Sequence, residues 1–168
     1  MSTGATGKDP IARALDATAR AALLFAGLSL VVMAAVEFWQ VFARYVMNDS
    51  PSWTEPVALL FMKCAMMFGA AAGVRMEAHF GFFILVEQAG PAAKRLLKAF
   101  ARLVVLGTGL VLAAWGIVLM RDSWGIPMAG VPLPEGLGYL PLALGGALIA
   151  LFAAGSLAGR VADAEREG

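Results

Sequence analysis

Thiol and imidazole are almost missing from this chain. A single cysteine, Cys64, rules out an intrachain disulfide and any cysteine-clustered metal site. A single histidine, His79, rules out a haem held by two histidines of the same chain, and nothing at ligand spacing surrounds it. Charge is scarce as well. Asp, Glu, Lys and Arg make up 15% of the residues, against ~25% in an ordinary soluble domain. The net charge of +1 gives a nucleic-acid partner no electrostatic basis. No nucleophile–base pair, glycine-rich phosphate loop or metal motif occurs, so the residues offer neither catalytic candidates nor a cofactor site.

What the chain has instead is apolar length. Sixty percent of it is hydrophobic and the mean hydropathy is +0.77, which predicts an all-α integral membrane protein. Asp9-Pro10 opens a short lead-in that ends at Arg20. From there to Arg44 the only charge is Glu37, a run of about 35 Å as helix, enough to cross a ~30 Å hydrocarbon core. It is too long for the ~7–15-residue apolar region of a signal peptide, and more spanning runs follow. Phe38, Trp39, Phe42 and Tyr45 form an aromatic belt at its far end. Asn48-Asp49-Ser50-Pro51 turns the chain, and Ser52-Trp53-Thr54-Glu55 fits a capping box, Ser52 as N-cap and Glu55 reaching back. The four spans are expected at 21–46, 53–74, 103–121 and 137–159, forming one membrane domain. A connecting arm, 75–102, lies at the interface. Its stretch between Glu77 and Glu87 is too short to cross, and Lys94, Lys98 and Arg102 share one face of an amphipathic lead-in at the headgroups. Gly69 and Gly73 on the second span, and Gly146, Gly155 and Gly159 on the fourth, recur at helix-packing spacing.

Basic residues sort by side. Lys8, Arg13, Arg20, Arg75, Lys94, Arg95, Lys98, Arg102, Arg160 and Arg166 fall at the termini and the arm, against Arg44 and Arg121 opposite. Both termini and the arm are therefore expected in the cytoplasm.

Lys63 is the residue in need of an explanation, since a lysine in a spanning helix costs about 2.5–3.5 kcal/mol. Glu37 lies seven residues inside Arg44 and Lys63 eight inside Glu55, each some 10–12 Å from the outer end of its helix. An intramembrane Glu37–Lys63 ion pair is one reading. Another has Lys63 snorkelling along its own helix, and a third has it meeting a partner subunit. Arg44, Trp53 and Glu55 read as interfacial anchors with a helix cap, and Met62, Met66 and Met67 as gap-fillers between helices.

Phe42-Ala43-Arg44-Tyr45 through Pro56, then Gly69 through Leu97, together resemble the small membrane subunit of TRAP (tripartite ATP-independent periplasmic) transporters, DctQ-type. The resemblance rests on Arg44-Tyr45 ending the first span, Trp53-Thr54-Glu55 starting the second, then Gly69, Gly73, Arg75 and His79 in order. Gly125-Ile126-Pro127 in the late loop adds to it. Pro56 stands where a second glutamate is usual, which removes a paired carboxylate there.

The resemblance implies a small, non-translocating scaffold in a bacterial inner membrane. It would serve a sodium-coupled, binding-protein-dependent uptake system for organic acids, with sodium handled by the partner. Its partners would be a large multi-span membrane subunit, a periplasmic substrate-binding protein and membrane lipids. Arg44, Tyr45, Trp53, Glu55, Arg75 and His79 would then lie at partner or lipid interfaces. Two rival readings are a self-sufficient proton-coupled multidrug-type transporter using Glu37, and a membrane anchor of a respiratory complex. The charge bias, the long arm and Lys63, which would repel cationic drugs, speak against the first; the lone histidine narrows the second to a quinone-site or structural anchor.

Overall fold

The computed structural model describes residues 10–76 and 91–167, excepting the side chains of 91–95 and 158–167. His79 and the arm over 77–90 lie outside the described residues. Four helices are long and apolar enough to cross a membrane. They are α1 (Pro10–Val46), α2 (Thr54–Arg75), α3 (Pro91–Asp122) and α4 (Leu140–Glu167), the last preceded by a 3-10 turn, Glu135–Tyr139. Helices consecutive in sequence run antiparallel, so α2 and α4 run in the same direction. One end of the molecule therefore carries the 47–53 and 123–134 connections (the loop end), and the other carries both termini (the terminal end).

Two lead-ins expected as separate pieces are continuous with their spans. α1 is one helix of 37 residues, about 55 Å, because no proline interrupts it after Pro10. α3 likewise runs through 32 residues without a breaker. Over 91–102 the expected headgroup-level lead-in is continuous with the third span, and its last basic residue is turned inward. Arg102 is only 8% exposed, whereas Leu96 and Phe100 are 72% and 67% exposed. α1 ends where Asn48 adopts a left-handed φ of 53°, which asparagine tolerates, and the N–H of Asp49 donates to the Ala43 carbonyl at 3.1 Å.

The start of α2 also differs from expectation. Trp53, at the N-cap position, already has helical dihedrals and no side chain caps the helix, so the Ser52–Glu55 capping box does not form. Instead the buried Thr54 hydroxyl donates to the Pro51 carbonyl at 2.9 Å. With the preceding turn wound into the helix, Ser52 no longer sits where an N-cap hydroxyl meets free N–H groups.

The helices lie in an open row, α1 on α2, α2 on α4 and α4 on α3, and α1 meets α4 only slightly. Position in the row governs burial. Within its most apolar window α4 is 39% buried, and the flanking α3 only 11%. On α1, Ala19, Ala22, Ala26, Ser29 and Ala43 are buried, and Met33, Val36 and Gln40 half-buried between them. That three–four alternation is knobs-into-holes spacing, and it faces α2. Phe25 and Phe68 meet edge-to-face, with centroids 4.8 Å apart. Toward the terminal end all four helices contribute to one buried cluster, in which Phe152 is fully buried. Leu15 and Ala19 join the cluster from α1, Met67 and Ala71 from α2, Val105 and Leu112 from α3.

Candidate interaction surfaces

The loop end is built from two connections pressed together. After α3, the chain folds back as a narrow turn in which Met128 N–H donates to the Leu133 carbonyl and Glu135 N–H to that of Ile126, both at 2.8 Å. Gly130, at φ +77°, makes the reversal, and its α-carbon lies so close to the Ser52 carbonyl that no Cβ would fit. The late loop is thereby seated on the turn before α2, joining the two hairpins. Trp124, Ile126, Pro127, Pro132 and Leu133 line an open groove of about 260 Å³ on its surface. At the loop end Asp49, Glu55, Asp122 and Glu135 are exposed, with Arg44 and Arg121. The Arg44 guanidinium donates to the Ser50 hydroxyl at 3.2 Å. Tyr45, 80% exposed, and Trp53 face outward, as do Phe38, Trp39 and Phe42, whose rings pack on one another at 6.0–6.4 Å. Amphipathic rings concentrated at one helix end suit the interface between hydrocarbon and water.

Glu37 and Lys63 form no ion pair. Register and rotation both separate them. Ala26 of α1 lies opposite Gly69 of α2. Eleven residues beyond Ala26 is Glu37, and eleven before Gly69 on the antiparallel partner is Ala58. Glu37 is therefore level with Ala58, about 7 Å along the axis from Lys63. Ala58, Ala65 and Ala72 mark the side of α2 that meets α1, whereas Lys63 follows Met67 and Ala71 toward α4. Its Nζ lies over the Tyr139 ring, 5.3 Å from the centroid, and beside Gly138. Glu37 is exposed on α1.

Arg75, expected at a partner or lipid interface, is engaged within the chain. Its Nη2 lies 2.8 Å and its Nε 3.0 Å from Asp16 Oδ1, and Nη2 also donates to the Ala12 carbonyl at 3.4 Å. This bond ties the start of α1 to the end of α2. Asp16 escaped the sequence reading, although two opposite charges at the same end of adjacent helices were the signal for it.

The small residues divide by neighbour. Gly69 faces Ala26 at 3.8 Å, Gly155 faces Leu15, and Gly146 packs on the backbone of Gly109, Leu112 and Ala113. Gly73 is half-buried on α2, and Gly159 lies in the last turns of α4. Sequence reasoning missed Gly109, Gly116 and Gly145. A Cβ on Gly109 would stand 2.6 Å from the Ala150 nitrogen, one on Gly116 2.6 Å from that of Ala143, and one on Gly145 2.6 Å from Met67 Cβ. Gly109, Ala113 and Gly116 share the four–three spacing that could have revealed this face. Among the described residues no three His, Cys, Asp or Glu gather as a metal site.

No curated protein matches the chain. Residues 33–163 match a family model described as tripartite ATP-independent periplasmic transporters, DctQ component.

Proposed function

Because that match spans most of its length, the chain belongs to the DctQ component family of tripartite ATP-independent periplasmic transporters, and from this we propose its role in the assembly. It is the small, non-translocating membrane subunit. It braces a large multi-span subunit that takes up organic acids with sodium as the coupling ion, while a periplasmic binding protein delivers the substrate. The termini lie in the cytoplasm, as the placement of basic residues favours, and the loop end faces the periplasm. There the seated late loop and its groove meet the binding protein.

The family match over 33–163 carries this reading. The row supports it physically, since four helices side by side leave broad apolar faces on α1 and α3 that a larger membrane partner can cover. Reconstitution tests it. Vesicles holding this chain, the co-encoded large subunit and the binding protein should accumulate a carboxylate substrate only under an inward sodium gradient, and omitting this chain should abolish uptake. Full uptake by the large subunit alone, or transport by this chain alone, would overturn the proposal.

A further inference from the structure

α2 is central in the row, yet one side of it is uncovered. α1 takes the side of Ala58, Ala65 and Ala72, and α4 the side of Cys64, Met67 and Ala71. The third side presents Leu59, Met62 and Met66, which are 44%, 41% and 65% exposed, with the exposed Lys63 at its edge. Leu59, Met62 and Met66 follow at three- and four-residue steps, the spacing of a helix-packing seam, and Gly73 falls seven residues further along. The thioethers offer a surface that adapts to a facing helix, and glycine lets that helix come close.

Lys63 says what the covering element must carry. An ammonium at this depth requires a counter-charge or a route to water. The Tyr139 ring supplies attraction but no neutralisation. Among the described residues no carboxylate forms an ion pair with it, Glu37 being level with Ala58 on the other side of α2. Glu55 stands eight residues away, about 12 Å toward the loop end, a distance greater than a lysine side chain spans. The counter-charge is therefore sought on a protein helix that covers this side of α2.

We propose that the Leu59–Met62–Met66 face of α2 seats a spanning helix of the large membrane subunit, and that this helix places an Asp or Glu against Lys63. The inference rests on the proposed function, whose partner it takes over, and it names the contact face and the partner's chemistry. Charge pairing in hydrocarbon fixes both the depth and the rotation of the two subunits, which an apolar face alone does not.

The test is recovery of the co-expressed large subunit on the tagged chain in mild detergent. Wild type and Lys63→Arg should retain it, and Lys63→Met should retain about tenfold less, the change that ~1.4 kcal/mol produces. Lys63→Glu should lose it as well, and regain it when one intramembrane Asp or Glu of the large subunit is changed to Lys. Met66→Trp, which adds bulk to the face without altering charge, should also weaken recovery and keeps the test open if a Lys63 variant fails to accumulate. Undiminished recovery with both Lys63→Met and Met66→Trp would overturn the inference while leaving the proposed function standing. So would loss of the large subunit from delipidated wild type that added anionic phospholipid restores, with no such rescue in Lys63→Met, since Lys63 would then hold a headgroup. If the wild-type chain recovers no large subunit, the proposed function itself fails, and this inference with it.

Discussion

The two hairpins solve one packing problem in different ways. α1 meets α2 through alanine and serine side chains at knobs-into-holes spacing, an aromatic pair and the Arg75–Asp16 bond. α3 meets α4 through bare backbone, with Gly109 and Gly116 against Ala150 and Ala143, and Gly146 against Ala113. In lipid the hydrophobic effect gives helices no reason to associate, so contact area and polar bonds carry the association. The first interface spreads that work over many movable side chains. The second concentrates it where only hydrogen atoms fit, and such a contact cannot yield without moving a whole helix.

This difference can be broken at graded cost. Gly116→Val puts a branched side chain into the Ala143 backbone and should destabilise the chain by about 2–3 kcal/mol, read as loss of thermal stability in detergent. A cost below ~1 kcal/mol would show that α3 and α4 can separate freely. Gly130→Ala, which needs a left-handed backbone and collides with Ser52, should cost about 1–2 kcal/mol. It should speed amide exchange over 126–135 while sparing the helices. Asp16→Asn removes a part-buried ion pair and should cost ~1 kcal/mol or less, with the deficit shrinking as salt is raised. Gly69→Ala should stay within about 0.5 kcal/mol, because its Cβ would meet Ala26 at an ordinary 3.8 Å. If Gly69→Ala hurt as much as Gly116→Val, the contrast between the hairpins would vanish.

The sequence revealed the spans, because uninterrupted apolar length is a local property that Arg20, Arg44, Arg75, Arg102 and Arg121 delimit. Continuity of the lead-ins was missed, although no proline stands between Ile11 and Val46 or between Ala92 and Asp122. Relative slide and rotation were not legible. Counting Glu37 and Lys63 each from the outer end of its own helix put them at one depth. The ends do not align, however, and the Ala26–Gly69 contact shifts Glu37 to the level of Ala58. The capping box failed for a related reason: the motif Ser52-x-x-Glu55 describes a helix that starts abruptly, whereas Trp53 already follows a helical path. Tyr139 as the neighbour of Lys63 depended on how the late loop folds back, which no local pattern encodes.

The seating of Gly130 on Ser52 has a mechanical consequence. At the terminal end the two hairpins share the Phe152 cluster, and toward the loop end they share this backbone contact and the Lys63–Tyr139 contact. A plank fastened at both margins resists shear, so force applied to either hairpin is passed to the other instead of sliding past it. In the bracing role proposed above, stiffness of that kind is the property required. Loosening a single glycine at one margin would move the plank toward a hinge.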